Sequence, residues 1–222
     1  MKIKKDNRGF SMVELIVTIA IMAVMVGVIS VSVLGYVERA KMTKALTEAK
    51  AMYTVAQISV INAAANEVEA FNYALKFEQV VNGETMRLGR FSNQSLYKFL
   101  KESGGAPSQS SALSKKADYY IAEQLAYSVP GADGEIENDM LKDKTPIGDS
   151  HSTKYISEHP EIYGDVVFAM AYNGRCEVIY FQCVYNGYFI TSEGGVLTAE
   201  KVSDSTKFND WPKTRASGTD GW

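Results

Sequence analysis

Between Phe10 and Leu75 the chain has no proline, and between Leu15 and Leu34 it has no charge. The first absence means that no residue in the stretch lacks the N–H a helix interior needs. The second leaves twenty uncharged, mostly apolar residues. At about 1.5 Å per residue they match the roughly 30 Å hydrocarbon core of a bilayer. Glycine is the residue most able to loosen such a helix, at about 1 kcal/mol relative to alanine, and Gly27 and Gly35 are the candidates. Ala23 and Gly27 also form a small-xxx-small pair that allows close helix approach.

Histidine is scarce too. His151 and His159 both fall in the Gly-, Pro-, Asp- and Ser-rich stretch from Pro130 to Pro160. They have neither HExxH spacing nor a Cys-x-x-Cys partner, so they read as surface residues on a long excursion. GxSxG, Walker A and dinucleotide fingerprints are absent, which leaves enzyme activity without positive support. The two cysteines are Cys176 and Cys183. On one strand a separation of seven places them on opposite faces and about 23 Å apart, so they are expected to be free, partly buried thiols.

Net charge is −3. The leader Met1–Gly9 carries Lys2, Lys4, Lys5 and Arg8 against Asp6, so the rest stands at −3 less the leader's +3, or −6. That bulk acidity argues against a nucleic-acid grip. Basic residues directly before an apolar span orient it, with the leader cytoplasmic and the bulk of the chain outside. A cleaved secretory signal would have an apolar core of roughly 7–15 residues. This core is longer, and its best small-residue cleavage candidate, Ser30-Val31-Ser32, continues straight into a charged helix. A retained signal anchor is the stronger simple alternative.

Inside this apolar setting stands one carboxylate, Glu14, and a charge within a membrane helix is by default a functional hypothesis. The surrounding residues are "RGFSMVEL": a basic leader ending in Gly9, then Phe10, then a carboxylate at the fifth residue counted from Phe10, then an unbroken apolar helix. Over about its first 36 residues the chain therefore resembles the class III signal of type IV pilins and pseudopilins. The resemblance implies that a prepilin peptidase cuts after Gly9 and methylates the amine of Phe10. It implies that Glu14 serves assembly, and that copies of the chain join each other and other pilins in a helical filament. The protein would sit in the cytoplasmic membrane before assembly and at the cell surface after it, with no cofactor. Cleavage would create an amine of reference pKa near 8, four residues from Glu14 and within reach of a neighbouring subunit's carboxylate. In an apolar core such a pair avoids the large penalty of an isolated charge. The simpler reading is that Glu14 complements its own helix dipole, worth under about 1 kcal/mol. Many Gram-negative major pilins have a mid-membrane proline and some lineages a disulfide-bounded loop; lacking both features, this chain leans towards a Gram-positive type.

Past the apolar run, Met42, Leu46, Ala49, Tyr53, Ala56, Val60 and Ala63 recur at alternating spacings of four and three, which predicts an amphipathic helix. The seam then shifts by one, to Ala64, Val68, Phe71 and Leu75, and the helix is expected to run until Asn82-Gly83. The stripe fits either a coiled coil or, more commonly, one face buried on the chain's own sheet. "NQSLYKFLKES" reads as a short helix, "GGAPSQSSALSKK" as a loop, and "ADYYIAEQLAYSV" as helix or strand. Asn173-Gly174 and Asn186-Gly187, each between β-branched and aromatic runs, predict two type I′ hairpins and hence three antiparallel strands at about 165–192. The expected fold is α+β: a long N-terminal helix packed on a C-terminal antiparallel β-meander, which is also what the pilin resemblance implies. Its divisions would be a leader (1–9), a membrane or filament-core helix (10–36), an amphipathic continuation (37–80) and a globular head (81–222).

Asp133, Glu135, Glu137, Asp139 and Asp143 form an oxygen-rich cluster that calcium could use, as some pseudopilins do in a head loop. The spacing is not that of an EF-hand, and a solvated acidic loop is the simpler reading. The leading expectation is a pilus or pilus-like subunit, including a competence or type II secretion pseudopilin. The rivals are a membrane-anchored extracellular adhesive or ligand-binding domain, for which Glu14 would be dispensable, and an anchored hydrolase, which would need a concave site with a histidine.

Overall fold

The computed structural model describes residues 10–75, 77–92, 121, 124–125, 152–159, 163 and 166–208. Helix α1, Met12–Asn66, is the first described element. The chain divides into two compact units, residues 1–42 and 43–222.

In the first unit α1 buries none of its described apolar side chains: Met12, Leu15, Ile16, Ile19, Met22, Met25 and Leu34 are all exposed. Two of its hydroxyls are turned inward on the backbone. Thr18 Oγ1 donates to the Glu14 carbonyl at 2.5 Å, and Ser30 Oγ donates to the Val26 carbonyl at 2.6 Å. Hydroxyls bonded this way have their donors satisfied within the helix.

The second unit is a six-stranded antiparallel meander in sequence order, β1 (Phe77–Val81), β2 (Glu84–Ser92), β3 (Val166–Asn173), β4 (Val178–Tyr185), β5 (Tyr188–Glu193) and β6 (Val196–Lys201). Across one face lies the later part of α1, which buries Ala45, Ala49, Met52, Ala56, Val60 and Ala63. Its stripe is mostly alanine, which lets the helix backbone approach while the sheet supplies volume through Phe168, Met170, Tyr172 and Phe181. The bulkier Leu46 and Tyr53, expected as members of the stripe, are partly buried and pack against the cluster. There Tyr53 meets Phe181 edge-on at 5.8 Å. A short helix α2 (Val68–Ala74) adds Ala70 and Phe71 to the same cluster. Ile121 and Leu125 also join it, both in helical conformation.

The opposite face is covered as well. Helix α3 (Thr153–Glu158) begins at Ser152, whose Oγ accepts from the Tyr155 N–H at 3.1 Å. Thr153 is tied to the chain's later part, its N–H donating to the Thr206 carbonyl and its hydroxyl to Ser203. Ile156, Tyr163 and Phe208 fill a second cluster with Val167, Ala169, Val184 and Phe189. Cover on both sides explains why every residue of β3 is buried. For residues 152–159 this corrects the reading of Pro130–Pro160 as a surface excursion, since Ile156 is only 1% exposed; the rest of that stretch lies outside the described residues.

Two further expectations fail for definable reasons. The amphipathic helix does not reach Asn82-Gly83. Glu67 leaves helical dihedrals (φ −134°, ψ 59°), α2 ends at Ala74, and β1 follows. Asn82-Gly83 instead closes the β1–β2 hairpin, with positive φ at both residues (51° and 85°). The one-residue shift of the apolar seam was the mark of this break. Asn173-Gly174, conversely, is not a two-residue turn. Asn173 Oδ1 accepts from the N–H groups of Arg175 and Glu177, holding a wider loop of Gly174, Arg175, Cys176 and Glu177 in which Cys176 takes the positive φ (63°). Asn186-Gly187 is the type I′ turn expected (φ 52° and 80°). The sheet therefore has six strands over 77–201 rather than three over about 165–192, although the α+β arrangement is as expected and like that of type IV pilins.

Strands β2 and β3 are hydrogen-bonded neighbours from Leu88↔Asn173 to Ser92↔Ala169, although residues 93–165 separate them in sequence. Between them Gly89 faces Tyr172, whose ring lies over the glycine and stacks on Phe71 at 5.7 Å.

Candidate functional site

The first turn of α1 is closed by reciprocal hydrogen bonds. Ser11 stands just before the helix; its Oγ accepts from the Val13 N–H at 3.3 Å and its carbonyl from the Leu15 N–H at 3.1 Å. Glu14 reaches back, and its Oε2 accepts from the Ser11 N–H at 3.0 Å. This is the S-x-x-E capping box, which satisfies donors a helix start would otherwise leave unpaired. The S-x-x-E spacing is present in the sequence, and neither the assembly pairing nor the helix-dipole reading of Glu14 includes it. One such bond occupies one of about four acceptor positions on a carboxylate, leaving capacity for a cation. Phe10 is 85% exposed, beside this box.

Gly9 lies outside the described residues, as do Asp133, Glu135, Glu137, Asp139, Asp143 and His151. Among the described residues no cluster of three or more His, Cys, Asp or Glu could hold a metal ion. His159 caps the end of α3 and lies against the Tyr155 ring, with centroids 4.3 Å apart.

A second polar arrangement fixes the β3–β4 loop to α1. The Gln57 amide oxygen accepts from the Val178 N–H at 3.0 Å and its nitrogen donates to the Cys176 carbonyl. Tyr53 donates its hydroxyl to the Val178 carbonyl at 3.2 Å. Beside this clamp is a cavity of about 410 Å³, lined by Tyr53, Gln57, Met86, Arg175, Tyr180 and Glu193 among others. Burial and the nearby Glu193 carboxylate push the Tyr180 hydroxyl above its ordinary pKa. The cavity's lining includes no histidine or cysteine.

Both cysteines are free thiols. Cys176 lies in the loop rather than on a strand, so strand alternation does not apply to it and both residues pack on the helix-side cluster. Burial, with Glu177 adding to it, raises the Cys176 thiol, and complete burial pushes Cys183 up to about 12.

In comparison with known proteins, residues 4–30 match the family described as the prokaryotic N-terminal methylation motif. Curated proteins and solved structures yielded no match. The matched span contains Gly9, Phe10, the capping box and most of the exposed apolar stretch of α1, which includes an 18-residue window of mean hydropathy 2.7, long and apolar enough to cross a membrane. Residues 4–30 thus carry a prokaryotic N-terminal methylation motif, which supports a type IV pilin-like class III signal in this part of the chain.

Proposed function

We propose that the chain is the precursor of a structural subunit of a type IV pilus or pilus-like filament. Residues 1–9 are the leader that a prepilin peptidase removes, with methylation of Phe10; residues 10–36 hold the subunit in the cytoplasmic membrane and then in the filament core. The chain from Val37 onward presents the head. The observation that carries this reading is the exposed apolar stretch of α1, whose one described ionisable group, Glu14, lies next to the predicted cleavage point within the matched signal. Burial of that stretch at roughly 25 cal/mol per Å² against lipid or against other copies is a driving force that the rest of the fold leaves unused. In the filament, the capped Glu14 carboxylate would pair with the Phe10 amine of an adjacent subunit.

Mass spectrometry of the protein from its native membrane tests processing, the expected product starting at N-methyl-Phe10. Sheared surface material tests assembly, with the mature chain expected in the filament fraction. An intact Met1, or a start near Val33, would remove this reading.

A further inference from the structure

Strand β3 ends short of the hairpin beside it. Strands β2 and β3 pair only from Leu88, opposite Asn173, so Glu84 to Arg87 run on past that end paired with β1 alone, out to the Asn82-Gly83 turn. On the other flank β4 and β5 pair out to Tyr180↔Glu193, and Gly194 and Gly195, at φ 59° and 83°, turn the chain into β6. Gly195 comes close to α1: a Cβ there would lie 3.7 Å from the Tyr53 hydroxyl oxygen. Between these two hairpins the β3–β4 loop is held down on α1 by Gln57 and Tyr53. The cavity of about 410 Å³ is the notch that remains, and both hairpins contribute to its lining, one through Asn82 and Met86, the other through Glu193 and Gly194.

The charged groups of the cavity are unevenly matched. Arg175 Nε lies 3.4 Å from Glu177 Oε2, which also accepts from Asn173 Nδ2 at 2.8 Å, so that pair is satisfied within the loop. Glu193 has no cationic partner among the described residues, and its neighbour across the strand pair is Tyr180. We infer that the cavity is a binding site for a small organic cation, an amine on an aromatic or alkyl body, with Glu193 as its counter-ion. Tyr53, Tyr180 and Met86 supply aromatic and thioether surface, which suits the body of such a cation and attracts its charge. An anion would meet Glu193 with Arg175 already engaged, and a neutral ligand would leave that carboxylate unmatched. Volume narrows the choice further, because about 410 Å³ falls within the roughly 300–1,000 Å³ of small-molecule sites and is too little for a folded partner. Since Glu193 is exposed, it contributes selection by charge more than depth of affinity. The lining lies entirely within residues 43–222, so the site stands whether or not the chain enters a filament.

The test titrates the full chain, held in micelles of an uncharged detergent, with three molecules that share one ring: tyramine as the cation, tyrosol as the neutral alcohol and para-hydroxyphenylacetate as the anion. Calorimetry is expected to show saturable binding of tyramine and binding of the other two weaker by about fivefold or more, the size of one well-placed ion pair at a partly open site. Glu193→Gln is expected to lose tyramine affinity by a similar factor with its circular dichroism unchanged. Glu69→Gln, which removes an exposed carboxylate on α2, is expected to bind tyramine as the unaltered chain does. In spectra of chain with methyl-labelled methionine, tyramine should shift the Met86 signal, assigned through Met86→Leu, and leave that of the fully buried Met170 in place. Equal binding of the three molecules, full tyramine affinity in Glu193→Gln, or no saturable binding of tyramine overturns the assignment.

Discussion

Gly89→Ala tests the packing of the two-sided sheet at its tightest described glycine. A Cβ there would stand 2.2 Å from Cζ, 2.4 Å from Cε2 and 2.6 Å from the hydroxyl oxygen of Tyr172. Unstrained carbon contacts lie near 3.5–4.0 Å, so the ring must retreat by more than about 1 Å. Tyr172 is fully buried and has Phe71 stacked against it at an interplanar angle of 22°, so retreat disturbs that pair. Overpacking costs about 1–3 kcal/mol and a disrupted aromatic pair about 0.5–1.5, giving a destabilisation of about 2–4 kcal/mol. At about 2–4 °C per kcal/mol for a domain of this size, the melting midpoint should fall by about 4–16 °C. The assay is thermal and urea unfolding of a fragment starting at Val37, which is expected to unfold cooperatively. The same substitution in a Tyr172→Leu background should cost at least about 1 kcal/mol less, because the contacts it collides with are gone. An unchanged midpoint for Gly89→Ala, or equal costs in the two backgrounds, would refute the argument.

Glu14→Ala should insert, orient and be cleaved normally, because those steps depend on the basic leader, the apolar span and the Gly-Phe junction; filament yield should fall by a factor of about 10² or more, as expected when a buried amine loses its partner. Normal yield would reduce Glu14 to its capping role. Gln57→Leu strips the Val178 N–H and the Cys176 carbonyl of the partners described above and should destabilise the head by about 1–3 kcal/mol in urea titration, with no change in the predicted processing. Cys183 should resist thiol reagents until the head unfolds. Because its folded pKa is raised from 9.0 to about 12, its stabilising contribution is complete below about pH 9 and is lost as pH rises towards 12, at up to about 1.4 kcal/mol per pH unit. Cys183→Ala should flatten that part of the stability profile; an equal slope in both proteins would contradict the assignment.

The most legible parts of this molecule were those set by short-range chemistry. The uncharged run after Glu14 announced an exposed apolar helix, and Asn186-Gly187 announced its turn, because each signal lies within the element it specifies. Asn82-Gly83 carries the same turn signal, but the apolar spacing before it continues with a one-residue slip and so points to a helix stop. The slip itself marks Glu67, where α1 ends. Asn173-Gly174 misled in the other direction: only the hydrogen bonds from Arg175 and Glu177 to the Asn173 side chain show why the loop is wider. The second cover of the sheet was illegible because it comes from Ile156 and Tyr163, in a stretch whose composition is that of a loop. Their burial comes from contact with Val167, Ala169, Val184 and Phe189, residues far from them in pattern if not in sequence. At the candidate site, the order of Gly9, Phe10 and Glu14 stands in the sequence itself, whereas the bond between Ser11 and Glu14 follows only from reading the S-x-x-E spacing as a cap.

The direct pairing of β2 with β3 makes the sheet one body by hydrogen bonds and two by chain. Bringing its halves together means closing a loop of about 73 residues, for which the length-dependent entropic cost is about 4 kcal/mol. That cost grows only logarithmically, so doubling or halving the loop changes it by only about 0.6 kcal/mol. Length between Ser92 and Val166 is therefore nearly neutral for the sheet, provided the parts that cover it remain. Kinetically the position is reversed, because this closure is the most long-range strand pairing in the meander and should follow formation of the β1–β2 and β3–β6 hairpins. An inserted peptide just after Ser92 should accordingly slow refolding while leaving the unfolding rate almost unchanged.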